Sequence, residues 1–576
     1  MSFLNRQTSL LLGVSVLPVL IIWLYASVGT HPLSIETLFN LARGGVTKAS
    51  YCHPPGPIVP RPNVISTSPK FELSDSTFKN LPWTSDTSYA VKASIGNVTI
   101  LEHEYSAPGR EVGQSLLDTI IRIASVTKTF TMLAVLLSAD KIKLQDSITE
   151  FIPELKKDVY GDITIAALAS HTSGLGRYIY VGDLAIVPGF QPVAFGLPDI
   201  HNTGDQVPTC DPFPGGRVCT REEVLAGLND PAYHPRSPNS GPLYSNIGYT
   251  LLGMALEAVH KKSPEQIIHE KIIEPLGLSK TSFSVPTNAS IAHLPRSSAD
   301  GNWFVSGFGN YDPTGGLWSS PNDVIKFLQS ILAHDLLSRS ETRRWLQPRA
   351  FLPSLHQAMG ESWEILRPTN FMVKTPRPIE VFTKTGGVTG YAAYTAIVPE
   401  YNIALTINAA GGQVNSAVST LFPLIVKPLV AYADKLAQEK VAVEYAGAYK
   451  TATSDTTNHM NLAVDDGPGL VITDLVVNGV PVLRSLASAQ KIPYDSLSAR
   501  LYPAEPDSSG VGEVWKMLID NKARQQEFAE LQCLSWNWGD SLRYVTKPLD
   551  TFIFTKDVHG LASIELVGWR VKLVKL

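Results

Sequence analysis

The chain has no strongly basic block. Its 48 Lys and Arg face 52 Asp and Glu, for a net charge of −4 over 576 residues. Without a cationic stripe there is nothing to neutralise a phosphate backbone, so no nucleic-acid partner is expected. Cysteine is scarce, at four residues. No Cys/His cluster has zinc spacing and His-Glu-x-x-His is absent, so no metal site and no cofactor is called for. The histidines are scattered, and a satisfied structural role is the default for each, His171 included. No internal repeat and no long low-complexity tract occurs. What is present is an ordinary globular composition with ample apolar content for a core. The length points to more than one domain, at about 100–200 residues each.

Four cysteines fit a secretory chain with up to two disulfides. Cys210 and Cys219 are close enough in sequence for a local loop, which leaves Cys52 and Cys533 to pair or stay free. The N-terminus agrees with a secretory route. Arg6 is the only charge before the apolar run Leu10 to Val28. That run is long for a signal-peptide core of ~7–15 residues and near the ~20 that span a bilayer. Residues 1–30 are therefore a cleaved signal peptide or a retained membrane anchor, with the rest of the chain outside the cytosol. Asn97-Val-Thr99 and Asn288-Ala-Ser290 are glycosylation sequons in that setting. Residues 31–69 hold a proline-rich stretch, Cys52 to Pro62, expected to be an extended linker or surface arm.

The chemistry centres on Ser125-Val-Thr-Lys128, followed by an apolar helix with Phe130, Leu133, Ala134 and Leu137 at helical spacing. Residues three apart share a helix face, so the Ser125 hydroxyl and the Lys128 amine can meet. A serine hydroxyl needs such a base to become a nucleophile. Ser76-x-x-Lys79, Ser138-x-x-Lys141 and Ser488-x-x-Lys491 match the same pattern and read as solvated surface. Ser125 differs in its companions. Tyr244-Ser-Asn246 is the only Tyr-x-Asn in the chain and Lys384-Thr-Gly386 the only Lys-Thr-Gly, both downstream of Ser125.

With these three motifs the sequence resembles the class C β-lactamase-type serine hydrolases, a group that includes D-alanyl-D-alanine carboxypeptidases, esterases and some acyltransferases. The likeness extends to His171-Thr-Ser-Gly-Leu175, Gly248 to Gly253, Glu274 to Leu278 and Gly315 to Ser320. By overall build it is most similar to the secreted fungal branch. The resemblance implies an α/β (α+β) fold: a transpeptidase/β-lactamase domain over residues 70–437, with an antiparallel sheet flanked by helices. It implies Ser125 as the acylated nucleophile, with Lys128 and Tyr244 sharing the base work. Asn246 orients the substrate amide and the Lys128 amine. Lys384 adds positive charge and attracts a substrate carboxylate, which Thr385 also binds. Gly386 and Gly387 let the strand approach the substrate, and the Gly387 N–H joins that of Ser125 in an oxyanion hole. The implied substrate is a small-molecule ester, amide or lactam. Acyl transfer from the same acyl-enzyme, or a binding protein on the same fold, are the alternatives; the intact motifs argue against the latter.

Beyond about residue 440 the segments become short and apolar between turns. Leu470 to Ile472, Val514 to Ile519, Phe552 to Phe554 and the alternating Trp569-x-Val571-x-Leu573 read as strands, with no helical stripe after Ala437. Residues 438–576 are thus expected to form a β-rich domain, a small barrel or sandwich, and Tyr445-Ala-Gly-Ala-Tyr449 resembles the opening of the family's lipocalin-like module. The oligomeric state is not legible.

Overall fold

The computed structural model describes residues 53–576 apart from short segments, of which 199–209, 211–216, 296–302, 372–376, 505–511 and 524–532 are the longest. The leader expected over residues 1–30, and Cys52, lie outside the described residues.

The first sheet begins with a hairpin, β1 (Ser88–Ile95) and β2 (Val98–Tyr105), turning at Gly96 with φ +57°. Its remaining strands come much later in sequence: β3 (Pro348–Phe351), β4 (Gln357–Gly360), β5 (Glu364–Leu366), β6 (Val381–Val388), β7 (Tyr391–Val398) and β8 (Ile403–Ala410). The order is β2-β1-β8-β7-β6-β5-β4-β3, and β8 pairs antiparallel with β1 in the middle of the sheet. The turn from β7 to β8 falls at Pro399 to Asn402.

Between β2 and β3 the chain lays down the helices of one face. These are α1 (Thr127–Leu136), α2 (Ile165–Ala169), α3 (Ile247–His260) and α4 (Pro321–Ala333). Every residue of α1 is buried, which is why its apolar character runs right around the helix. The two faces of the sheet read off strand alternation. Ala393, Ile397 and Ala404 join the core of α1, α3 and α4. Ala392, Ala396, Val398, Ile403 and Leu405 join a second core on the opposite face. That face is covered by α5 (Val414–Glu444).

α5 is long and apolar enough to span a bilayer by length and composition alone, but half of its most apolar window is buried in the fold. It also corrects the expectation that helical periodicity ends at Ala437. Ala433, Ala437 and Val441 continue one buried stripe at i, i+4 spacing, so the helix runs through the 437/438 boundary without a break. The proline-rich arm is corrected as well. Ile58 and Val59 are buried in the second core, and Arg61 Nε donates to the Pro399 carbonyl at 3.0 Å. The prolines fix an extended course, and two aliphatic side chains within it anchor the arm to the fold.

After α5 comes the β-rich region: β9 (Gly447–Lys450), β10 (His459–Ala463), β11 (Leu470–Val477), β12 (Val480–Pro481), β13 (Leu497–Pro503), β14 (Glu513–Asn521), β15 (Thr551–Asp557), β16 (Gly560–Leu566) and β17 (Val571–Lys575). They are ordered β10-β9-β17-β16-β15-β14-β13-β11-β12, and an added β10–β11 pairing closes the sheet on itself. Closure removes free edges. Trp569 sits in the turn before β17 rather than in a strand. A short helix, α6 (Val482–Ala489), was not foreseen; it buries Val482, Leu483 and Ala487.

Candidate active site

Ser125 lies in a 3-10 turn, Ala124–Val126, that feeds directly into α1. The turn is conformationally strained: Ala124 has φ +44°, a region that side chains with a Cβ avoid. Neighbouring groups hold it there. The Thr127 hydroxyl donates to the Ala124 carbonyl at 2.7 Å, and Gly386 of β6 presses on the turn from the sheet. A Cβ at Gly386 would stand 2.2 Å from the Ile123 carbonyl oxygen and 2.9 Å from the Ser125 nitrogen. Only glycine fits. The bareness of Gly386 thus admits the close approach of the Ser125 turn, a role beyond the one expected of it. Gly387 faces the other way, where a Cβ would meet Asn415 Oδ1 at 2.8 Å. Two residues before the turn, buried Arg122 braces the loop opposite by donating to the carbonyls of Phe304, Ser306 and Gly316.

Lys128 is fully buried, while Ser125 above it is partly exposed. Its ammonium donates to Ser125 Oγ at 3.1 Å, to Asn246 Oδ1 at 2.7 Å and to the Thr314 carbonyl at 2.7 Å. The three predicted motifs therefore meet, and Thr314 adds a backbone acceptor that the side-chain pattern did not reveal.

Tyr244 is set in place by the His171 segment. Gly174 has φ +77°, and a Cβ there would strike the Arg236 carbonyl at 2.1 Å. Its close approach lets residues 171–174 pair with 236–243 through three backbone bonds: Arg236 N–H to Gly174, Asn239 N–H to Thr172 and Leu243 N–H to His171. The Ser245 N–H donates to His171 Nδ1 at 3.1 Å, and the imidazole stacks on the Tyr244 ring at 4.3 Å. Burial and the nearby Lys128 charge hold His171 well below its usual pKa, so it is neutral. With Nδ1 accepting, the proton sits on Nε2, which finds no partner among the described residues. The expectation of a satisfied histidine is met at one nitrogen only.

The Lys128 and Lys384 ammonium nitrogens lie 5.2 and 5.1 Å from the Tyr244 ring centroid. Burial alone would raise the phenol, but the two lysine charges outweigh it and pull Tyr244 down to about 8. Burial likewise pushes Lys128 down to about 8, against the pull of Tyr244. Lys384 moves the other way. Its burial is more than offset by Glu364, and its pKa is raised. Arg177 adds a further cation, 5.0 Å from the Tyr244 ring.

Glu364 is the residue that sequence reading missed. It starts β5 opposite Thr383 and bonds both Lys384 and Thr385. The available signal was a lone carboxylate between Trp363 and Ile365 in an apolar strand. Ser138 corrects another reading: it is buried, bonded to the Ala134 carbonyl and His260, whereas Ser76 and Ser488 are exposed as expected. Cys210 and Cys219 form a disulfide, and Cys533 is also disulfide-bonded. Asn97 and Asn288 are both exposed.

Residues 90–426 match the family model described as Beta-lactamase, and residues 437–576 match one described as Beta-lactamase-like-like, C-terminal domain. A beta-lactamase-like protein of Arthroderma benhamiae is 28% identical over 91% of this chain and 96% of its own length. A probable hydrolase of a Phoma species is 28% identical over 95% of each chain. The D-alanyl-D-alanine-carboxypeptidase/endopeptidase AmpH of Escherichia coli is 29% identical over 51% of this chain and 72% of its own length. By the match that covers its catalytic motifs, the chain belongs to the beta-lactamase family of serine hydrolases.

Proposed function

We propose that the protein hydrolyses a small-molecule ester, amide or lactam through an acyl-enzyme at Ser125. The observation that carries this is the Lys128 ammonium, 3.1 Å from Ser125 Oγ, in one cluster with Tyr244 and Lys384. Asn246 Oδ1 and the Thr314 carbonyl can only accept from Lys128, whereas the Ser125 hydroxyl can accept from an ammonium or donate to a neutral amine. The two lysine charges that pull Tyr244 down favour its phenolate, and Tyr244 is taken as the base. In this reading the Tyr244 phenolate takes the Ser125 proton as Oγ attacks the carbonyl carbon. The carbonyl oxygen becomes an oxyanion held by the N–H groups of Ser125 and Gly387. Tyr244 then returns the proton to the leaving group, and water, activated by the same phenolate, releases the acid. The disulfide and the exposed sequons at Asn97 and Asn288 support a secretory location.

Ser125→Ala should abolish fluorophosphonate labelling and lower turnover by about 10⁴-fold or more, with an unchanged circular dichroism spectrum. Turnover near the wild-type rate would exclude Ser125 as the nucleophile.

A further inference from the structure

Lys384 and Thr385 offer an ammonium, a backbone N–H and a hydroxyl beside the nucleophile, the donor set a carboxylate would seek. All three are engaged by one group of this chain. Glu364 Oε1 accepts from Lys384 Nζ at 2.5 Å. Glu364 Oε2 accepts from the Thr385 N–H at 3.0 Å and from the Thr385 hydroxyl at 2.9 Å. The arrangement is built into the sheet, because β5 pairs with β6 only as far as Glu364 opposite Thr383. The carboxylate therefore lies at the point where strand pairing stops. The Glu364 side chain keeps 24% exposure while Lys384 has none, so Glu364 stands between the buried ammonium and the solvent.

We propose that Glu364 occupies the place of a substrate carboxylate, so that the enzyme selects neutral acyl substrates over those carrying a carboxylate at this position. The proposal rests on Ser125 being the acylated nucleophile. An anionic substrate would find the donors already engaged and a like charge beside them. To bind there it would have to displace Glu364 from Lys384, leaving that carboxylate without its cation. A neutral ester meets neither obstacle. The same donors that would make the site a carboxylate receptor thus serve here to hold a charge that repels one.

The test uses the full chain and a matched pair of aryl acetates: para-acetoxybenzoate, whose leaving group carries a carboxylate, and its methyl ester. Rates are corrected for hydrolysis in buffer, and Ser125 labelling by a fluorophosphonate reports an intact site. The wild type should favour the methyl ester in kcat/KM by about tenfold or more. Glu364→Gln should narrow that preference, chiefly by lowering KM for the anion. Equal use of both esters by the wild type overturns the proposal. So does a Glu364→Gln enzyme that is still labelled at Ser125 and keeps the wild-type ratio. Should the variant lose labelling, the wild-type ratio alone decides. A wild type that neither ester nor fluorophosphonate acylates sinks the hydrolase reading, and this proposal with it; a labelled enzyme without the preference sinks this proposal alone.

Discussion

At the scale of single residues the site is a charge cluster, and its pH dependence follows from that. Lys128 and Tyr244 are both drawn to about 8 and touch the same hydroxyl, so their protons come off in two steps whose apparent pKa values belong to the pair and not to either residue. The acidic limb of kcat/KM should have its midpoint near 8, with activity rising as the base form appears. Two substitutions should move this limb in opposite directions. The Lys384 charge lowers Tyr244, so Lys384→Ala removes a stabiliser of the phenolate and shifts the limb to higher pH. The Glu364 charge raises Tyr244, so Glu364→Gln shifts it to lower pH. A pH–rate profile of the three enzymes on one neutral ester checks this. Shifts of the same sign in both variants would show that the two side chains act through structure and not through their charges.

Among the elements, α1 and β6 carry the site, and they meet at one glycine. The strained turn before α1 is held in part because Gly386 lets β6 come up against it. Gly386→Ala forces a methyl group into the Ile123 carbonyl, and overpacking of this kind costs about 1–3 kcal/mol. The expected result is a lower denaturation midpoint together with a fall in kcat, because relief of the clash must move the Ser125 nitrogen. Unchanged stability and activity would mean that the turn has room to retreat. The motif Lys384-Thr-Gly386 thus reads in two parts: a polar end that faces Glu364, and a glycine that faces the Ser125 turn. β5 and β6 also explain why Lys384 stays charged while fully buried. Glu364 reaches it from the neighbouring strand, and removal of that partner would leave an uncompensated cation.

Across the whole molecule, the second core joins parts far apart in sequence. It takes Ile58 and Val59 from the proline-rich arm and Leu405 and Ile407 from β8. It continues through Ala437 and Val441 of α5 to Trp515, Phe554 and Leu573 of the closed β region. The family-model boundary between residues 426 and 437 therefore falls within a helix. Limited proteolysis should spare the chain between Leu436 and Val443. A protein truncated after Ala437 should unfold at a lower denaturant concentration than the full chain, because it loses the packing of Val441 and Tyr445. Efficient cleavage in that window, with two fragments as stable as the parent, would show instead that the helix there is no more than a tether.

Much of this was legible in sequence because it is local chemistry. Ser125-x-x-Lys128 fixes which amine shares the serine's helix face, whatever the surroundings. The short apolar runs Tyr391 to Val398 and Ile403 to Ile407 point to two strands, with Pro399 to Asn402 as their turn. A separation of nine residues brings Cys210 within reach of Cys219. The rest depended on what lies across a gap of many residues. Glu364 is one more carboxylate until β5 pairs with β6 and sets it against Lys384, twenty residues on. Ser138 and Ser125 share a motif, yet only the fold buries one against His260 and leaves the other partly exposed. The periodicity of α5 past Ala437 rests on Val441 alone, too little to register without the sheet it packs on. Sequence determined which groups could react; burial and cross-strand pairing decided which of them carry charge, lowering Tyr244 beside two lysines and raising Lys384 beside Glu364.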